Sequence, residues 1–366
     1  MKTNSASMGK SLGFLFLLVL VIGGLYFSRD FLVPVTLAGL ISMLFIPLAD
    51  KLENKGCNRA VSSLTCIIIL LLIFGLIASL LSWQASNLSQ DISQIQQELV
   101  KIVNQIRQFI SESFGLSVEE QKKLIEKQTS KSIGAAGSAG TILATIMSFL
   151  VTTILVLVYI FLLLFFRDHL KKFLLMLIPL EEKKETEKII NEGSKVAQQY
   201  LIGLGSMILI LWILYGIGFS IVGVKSAIFF AILCGILEII PFIGNLTGTI
   251  LTVFMVIAQG GNGKMILGVI IVYSVIQFVQ TYILEPFIVG AEVNINPLFT
   301  ILIIVAMEMI WGIPGMVLAI PMLGIFKIIC DHVDSLKPYG FLIGQEKKAK
   351  KENKLVSKFK NHLNKK

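Results

Sequence analysis

The sequence predicts an all-α polytopic membrane protein with about eight membrane segments, two of them broken or re-entrant, and an extracytoplasmic helical insert. The 366 residues are 55% hydrophobic and only 15% charged, with a mean hydropathy of +0.82. Soluble domains are about 25% charged. Several apolar stretches reach the ~20 residues that a helix needs to cross a bilayer. The alternating pattern of a membrane β-barrel does not occur, so we expect helices.

Apolar runs and charged connections divide the chain into six parts. Positively charged residues in short loops mark the cytoplasmic side. The lysines and arginines near the N-terminus, in the linker and in the tail therefore place both termini in the cytoplasm. The parts are three transmembrane helices (1–82), the insert (83–140), a fourth transmembrane helix (141–166), a cytoplasmic linker (167–200), a core with two broken segments (201–333) and a basic cytoplasmic tail (334–366).

Two breaks interrupt the apolar runs of the core. The first reads L-E-I-I-P-F-I-G-N-L-T-G at 237–248, and the second reads W-G-I-P-G at 311–315. An acid precedes the proline and glycine residues of each break, Glu238 in one and Glu308 in the other, 70 residues apart. An unpaired backbone group in lipid costs several kcal/mol, so such a break is tolerated only inside protein or beside a water-filled cavity.

Each broken run has about 33 residues, which would make a straight helix about 50 Å long. A bilayer core is only about 30 Å thick. The runs could be tilted full spans, as the absence of Lys and Arg from 285–296 favours, or re-entrant hairpins that enter from opposite faces, as their length favours. We expect hairpins.

Paired broken segments in the two halves of a repeat indicate a transport site. Ionisable residues at membrane depth are functional candidates as well. The alternatives are that the carboxylates snorkel or pair locally, and that the polar side chains bond a neighbouring helix. The candidate path residues are Glu238, Pro241, Gly244, Asn245, Thr247, Gln277, Gln280, Thr281, Glu285, Glu308, Gly312, Pro314 and Gly315.

Two further patterns lie outside the spans. Apolar residues recur in the insert at spacings of 4 and 3, which predicts either a self-association seam or an amphipathic helix on a surface. A basic amphipathic pattern in the tail predicts contact with an anionic inner leaflet, or else a solvated tail. The seam comprises Leu88, Ile92, Ile95, Leu99, Ile102, Ile106 and Phe109, and the tail pattern comprises Leu355, Phe359 and Leu363.

The sequence lacks the residue patterns that would indicate an enzyme. It has no G-x-x-x-x-G-K-[ST] motif for ATP, and its histidines and cysteines lack metal-ligand spacing. We therefore expect no enzyme activity, no cofactor and no metal site. Most of the net charge of +9 lies in the last 22 residues, which hold nine lysines and two glutamates, so we expect no nucleic acid partner.

Several motifs carry a resemblance to a known family. They are I-I-P-F-I-G-N-L-T-G from Ile239, E-P-F-I-V-G from Glu285, Asn296-Pro297, and G-I-P-G-M-V-L-A-I-P-M from Gly312. Their order and spacing resemble the autoinducer-2 exporter family of bacterial membrane permeases (PerM-like). The resemblance implies an inner-membrane permease without an ATPase. Reported roles include export of the quorum-sensing signal autoinducer-2 and sodium or lithium/proton antiport. Glu308 departs from the small residues that are usual there.

Three functions remain open at this stage. The first is a secondary transporter that exports a small polar solute or a signal such as autoinducer-2, coupled to protons or cations through Glu238 and Glu308. The second is a monovalent cation (Na⁺ or Li⁺)/proton antiporter. The third is a non-transporting scaffold. The expected partners are a small polar solute or cation, membrane lipid and further copies of the chain in a homo-oligomer.

Overall fold

The computed structural model describes residues 4–89, 139–241, 243–289 and 295–345. These residues are almost entirely helical, and the only extended pairing within them is an isolated bridge between Ile295 and Gly344. Six helical segments in this part are long and apolar enough to cross a membrane, and shorter apolar helices accompany them. The predicted all-α polytopic membrane fold is therefore confirmed.

The described residues form twelve α-helices. They are α1 (Asn4–Phe27), α2 (Arg29–Asn54), α3 (Arg59–Ser89), α4 (Ala139–Phe165), α5 (Arg167–Met176), α6 (Lys183–Val222), α7 (Ala227–Leu237), α8 (Ile243–Ala258), α9 (Gly263–Val279), α10 (Pro297–Trp311), α11 (Ile313–His332) and α12 (Lys337–Ile343). Short 3₁₀ turns cover Leu180–Glu182 and Asp334–Leu336, and a π-helix, Gln280–Val289, continues from α9.

Helix α6 is the longest element among the described residues, and it organises the core. Its 40 residues span about 60 Å at 1.5 Å per residue, which is twice the thickness of a bilayer core. The boundary predicted between the cytoplasmic linker and the core, at residues 200 and 201, lies near the middle of this helix, so linker and core are parts of one continuous helix. The buried face of α6 carries Met207, Leu211, Tyr215 and Phe219, which pack against α7, α8 and α9.

The first broken run folds back on itself at its break. The Sγ of Cys234 on α7 lies 3.7 Å from the Oγ1 of Thr252 on α8, although 18 residues separate them. A Cβ atom at Gly248 would lie only 3.1 Å from the Cα of Cys234. Helices α7 and α8 therefore form an antiparallel hairpin, which we call hairpin 1. Its arms are about 16 and 24 Å long, both shorter than the bilayer core.

The second broken run folds back in the same way. The backbone N–H of Asn296, just before α10, donates to the carbonyl of Ile343 on α12, which follows the end of α11. Ile303 on α10 and Leu323 on α11 share a buried cluster. Gly312 makes the turn with φ +65, in the left-handed region that favours glycine. Helices α10 and α11 thus form hairpin 2, so neither broken run is one straight span.

The two hairpins enter the fold from opposite ends of α6. At the C-terminal end of α6, a Cβ on Gly268 of α9 would touch Val222, and Val224 and Ala227 at the base of hairpin 1 join the same cluster. At the N-terminal end, the Nε2 of His332 at the base of hairpin 2 lies 3.4 Å from Glu192. Residues 192 and 222 are about 45 Å apart along the helix axis.

Ion pairs gather at the end of the molecule that holds the base of hairpin 2. Arg167 donates to Asp50 at 2.7 Å and lies 2.8 Å from Glu53, and Arg59 pairs with Asp168. Lys171 pairs with Glu187 of α6 at 2.7 Å. These contacts join the α2–α3 connection, the α4–α5 joint and the start of α6. They are the segments that the excess of positive residues assigns to the cytoplasm.

Two of the sequence predictions, the self-association seam and the lipid-binding tail, concern residues that lie almost entirely outside the described part of the chain. Leu88 lies in the last turn of α3, and the remaining seam residues, Ile92 to Phe109, lie outside the described residues. So do the tail residues Leu355, Phe359 and Leu363. The self-association seam and the lipid-binding tail stay predictions.

The tip of hairpin 2 provides a test of the fold-back. A Cβ at Gly315 would lie 2.1 Å from the carbonyl oxygen of Met307, and a backbone oxygen cannot rotate away. We therefore expect Gly315→Ala to lower the free energy of unfolding in detergent by about 1–3 kcal/mol, as overpacked sites do. The control is Gly205→Ala on α6, where a Cβ meets nothing within 4 Å. An equal effect of the two substitutions would contradict the hairpin.

Candidate functional site

Three polar side chains meet where hairpin 1 turns. Glu238 follows the last residue of α7, and its Oε1 accepts a hydrogen bond of 2.5 Å from the Nε2 of Gln280. The same Nε2 lies 3.3 Å from the Oε1 of Glu285 and donates to it. One amide group therefore bridges two carboxylates, one from the hairpin tip and one from the helix beside it. We call Glu238, Gln280 and Glu285 the carboxylate cluster.

The π-helix explains why Gln280 reaches Glu285. In a π-helix, residue i bonds to residue i+5, so side chains five apart lie on the same face. Gln280 and Glu285 have this spacing, whereas in an α-helix they would diverge. Single π-turns occur often at functional sites. Gln280 is the first residue of the π-helix and lies about 25 Å along the helix axis from the start of α9. Because Glu238 bonds to Gln280, the first arm of hairpin 1 extends along most of α9 before the chain turns back.

Polar oxygens in the cluster lack protein partners. The Oε2 of Glu238 and the Oε1 of Gln280 are buried, and neither has a hydrogen bond within the described residues. Gln280 itself is 1% exposed. A buried acceptor without a partner costs about 1–3 kcal/mol. The cluster therefore presents two inward oxygens that a proton donor or a cation would satisfy.

The charge of the cluster is also unbalanced. Among the described residues, no Lys, Arg or His forms an ion pair with Glu238 or Glu285. Two half-buried carboxylates that share one neutral amide repel each other, and desolvation makes both charges costly. A proton or a cation bound at the cluster would relieve both costs.

Two aromatic residues that the sequence did not single out lie near the cluster. Tyr215 of α6 is 1% exposed, and both Tyr215 and Tyr273 of α9 lie within electrostatic range of Glu238. In sequence they are aromatic residues within apolar helices, which is the usual pattern of core packing. Only the contact between α6, α9 and hairpin 1 brings them to the carboxylate.

The other candidate residues of this region lie on hairpin 1 or on α9 and the π-helix that follows it. Gly244 packs at the tip, where a Cβ would lie 1.6 Å from the carbonyl oxygen of Leu237. Gln277 donates to Thr281 at 3.2 Å, so these two residues bond each other rather than the carboxylates. Pro241 lies in the tip, Asn245 lies in the first turn of α8 with a side chain outside the described part, and Thr247 is half-buried on α8.

The structure places Glu308 apart from the cluster. Its side chain is exposed on α10, beside Met309, which is 72% exposed. Within the described residues its carboxylate has no hydrogen bond to the cluster, although its carbonyl accepts from Gly312 at 2.7 Å. Gly312, Pro314 and Gly315 form the tip of hairpin 2, and Trp311 anchors that tip by donating to the carbonyl of Leu25 at 3.0 Å. The two acids are therefore not equivalent.

The two hairpins nevertheless pack against each other. Ile240, two residues after Glu238, packs on the cluster that contains Met307, Trp311 and Met316 of hairpin 2. Leu40 of α2 and Ala197 of α6 belong to the same cluster. The tip of hairpin 1 thus lies between α9 on one side and hairpin 2 on the other.

A double-mutant cycle tests the bridge between Gln280 and Glu238. Gln280→Leu leaves both carboxylates without their shared donor, so we expect the free energy of unfolding in mixed micelles to fall by about 1–3 kcal/mol. Combined with Glu238→Gln, it should show a coupling energy of about 0.5–3 kcal/mol. Gln277→Leu, which removes the bond to Thr281 and a buried oxygen without a partner but contacts neither carboxylate, is the matched control, and its effect should add to that of Glu238→Gln within about 0.5 kcal/mol. Additive effects of the two cluster substitutions would contradict the bridge.

Comparisons with known proteins agree with this architecture. The family model described as "AI-2E family transporter" matches residues 15–335. YrrI of Bacillus subtilis is 24% identical over 311 residues, 83% of this chain and 87% of its own. MT0215 of Mycobacterium tuberculosis is 24% identical over 330 residues, 86% of this chain and 87% of its own. YhhT of Escherichia coli is 20% identical over 336 residues, 89% of this chain and 92% of its own.

All three relatives are named as putative transport proteins. The family match includes both hairpins and the carboxylate cluster, as well as α1 from residue 15 onward and α2, α3 and α4. The match extends over far more than half of the chain, and the chain therefore belongs to the AI-2E family of transporters.

Proposed function

We propose that this membrane transporter is a secondary transporter that exports a small polar solute or signalling molecule such as autoinducer-2. The observation that carries the proposal is the carboxylate cluster at the tip of hairpin 1. Its two carboxylates share one amide donor and leave two buried oxygens without partners. Such a group gains or loses a proton or a cation with a large change in electrostatic energy, which is what coupling to an ion gradient requires.

The position of the cluster supports the same function. Discontinuous helices that meet near the membrane midplane commonly form the binding sites of secondary transporters. Hairpin 1 and hairpin 2 enter from opposite ends of α6, and Ile240 at the first tip packs on the second hairpin. A solute that binds between the tips would contact Glu238 directly. Movement of either hairpin would then change which side of the membrane the cluster faces.

The proposed setting is a bacterial inner membrane with both termini in the cytoplasm. The ion pairs of Arg59, Arg167 and Lys171 would lie on the cytoplasmic side, and the base of hairpin 1 would lie on the other. We further propose that the protein is not an enzyme and that it acts as a homo-oligomer. Its proposed partners are the solute or cation and, through the basic tail, anionic lipid.

A second candidate function is monovalent cation (Na⁺ or Li⁺)/proton antiport. The two orphaned oxygens of Glu238 and Gln280 favour it, because carboxylate and amide oxygens are suitable ligands for a hard cation. In this case the cation would itself be the cargo and would compete with protons for the cluster.

Proteoliposome flux tests the proposal. Parent protein should move autoinducer-2 when a pH or Na⁺ gradient is imposed, and Glu238→Gln should slow that flux at least ten-fold and remove its pH dependence, because an amide cannot exchange a proton. Glu308→Gln, which changes an exposed carboxylate, is the matched control and should stay within two-fold of the parent. Sodium-dependent proton movement without solute would select the antiporter.

One result would contradict ion coupling at the cluster. It is a Glu238→Gln protein that transports as fast as the parent at every pH between about 5 and 8. Absence of any solute or cation flux from the parent protein would contradict transport and favour the scaffold hypothesis.

A further inference from the structure

A groove runs along the outside of the described helices between α1 and α10. It has a volume of about 380 Å³ and is lined by Val19, Ile22, Gly23, Tyr26, Met309 and Ile310. This volume falls within the ~300–1,000 Å³ that ligand pockets usually have. We call it the α1/α10 groove. It lies apart from the carboxylate cluster and takes no part in the function proposed above.

The groove is open to the hydrocarbon that surrounds the protein. Helix α1 is anchored near its C-terminal end, where Leu25 accepts from Trp311, and farther back its side chains are exposed around the helix. Leu17 is 59% exposed and Leu20 is 57% exposed. In a bilayer these surfaces contact acyl chains. An apolar concavity in the same surface would be filled by an apolar chain rather than by water.

A cation marks one end of the groove. The guanidinium carbon of Arg29 lies 5.3 Å above the ring of Tyr26, which lines the groove. Arg29 has only a loose contact with Asp30, at 3.7 Å, and both side chains are largely exposed. An exposed pair of this kind holds few of the five N–H donors of an arginine. The remaining donors are available at the level where α1 ends and α2 begins.

We propose that the α1/α10 groove binds one phospholipid, with an acyl chain against Gly23 and the phosphate on Arg29. The apolar groove complements an acyl chain, and it ends at an aromatic ring over which an arginine is stacked, so the arginine complements the phosphate of the same lipid. Arginine binds phosphate oxygens through two parallel N–H donors, which a compact lysine ammonium cannot reproduce. With the termini in the cytoplasm, this lipid belongs to the extracytoplasmic leaflet.

Gly23 and Gly24 offer a matched pair of probes. A Cβ at either position meets nothing within 4 Å, so neither backbone position clashes with a larger residue. Gly23 lines the groove and is half-buried, whereas Gly24 is exposed and does not line it. Gly23→Leu should fill the groove, and Gly24→Leu should extend into the surrounding lipid.

The test is native mass spectrometry of the full chain purified with phosphatidylglycerol, with thermal unfolding to confirm that each variant is folded. We expect the parent and Gly24→Leu to retain one phosphatidylglycerol per chain in addition to any that the basic tail holds in every variant, and Gly23→Leu to retain at least five-fold less of this additional lipid. Arg29→Gln should also lose most of the lipid, and Arg29→Lys should keep an intermediate amount.

Two results would overturn the proposal. The first is equal lipid retention by the parent, Gly23→Leu and Arg29→Gln. The second is a Gly23→Leu protein that changes its oligomeric state without losing lipid, because a second copy of the chain would then cover the groove. Lipid loss in Gly24→Leu as large as in Gly23→Leu would count against it as well.

Discussion

The need to satisfy every backbone hydrogen bond inside a bilayer governs this structure. A break in a membrane helix exposes N–H and C=O groups that lipid cannot bond. Both breaks in this chain are therefore the tips of hairpins, and each tip packs against another element: Ile240 packs on hairpin 2, and Trp311 donates to Leu25 of α1. Glycine makes the close turns possible, since a Cβ at Gly244 would overlap the carbonyl of Leu237 and one at Gly315 would overlap that of Met307. The hairpins in turn determine where polar side chains can be placed at depth.

The carboxylate cluster is the chemical consequence of that arrangement. The tip of hairpin 1 lies next to the far end of α9, where a π-helix turns Gln280 and Glu285 towards Glu238. Their burial is costly unless a proton or a cation accompanies them. A transporter can use this cost, because a site that is unstable when empty releases and rebinds its ion as its environment changes. The cluster thus lies at a hairpin tip, the kind of element that can move during transport, and its uncompensated charge favours the binding of a proton or a cation.

Much of the fold could be predicted from the sequence, because its main signals are local. Apolar run length predicts the spans, and Pro241 with Gly244, like Pro314 with Gly315, predicts the breaks. Glu238 could be selected by the same reasoning, since an acid inside an apolar run is rare. The run lengths alone could not distinguish hairpins from tilted spans. Contacts such as that between Cys234 and Thr252 resolve this, and they join residues far apart in sequence.

The candidate site was less predictable, because it depends on which side chains meet across helices. Helical spacing grouped Gln277, Gln280 and Thr281 together, but only Gln280 reaches the carboxylates, since Gln277 bonds Thr281 on its own helix. The sequence repeat made Glu238 and Glu308 look equivalent. The structure exposes Glu308 on the outer side of hairpin 2. No local pattern indicates the π-helix or the approach of Tyr215 to Glu238, because that approach depends on how α6 packs against hairpin 1.

The central claim is that the two hairpins enter the membrane from opposite faces and meet at the carboxylate cluster. Cysteine labelling in intact and inverted vesicles tests this most directly, in a background with the partly exposed Cys57 replaced by serine. Lys264 and Tyr339 are exposed at the bases of hairpin 1 and hairpin 2. A membrane-impermeant maleimide should label Lys264→Cys from the extracytoplasmic face alone and Tyr339→Cys from the cytoplasmic face alone. Labelling of both residues from the same face would contradict the account.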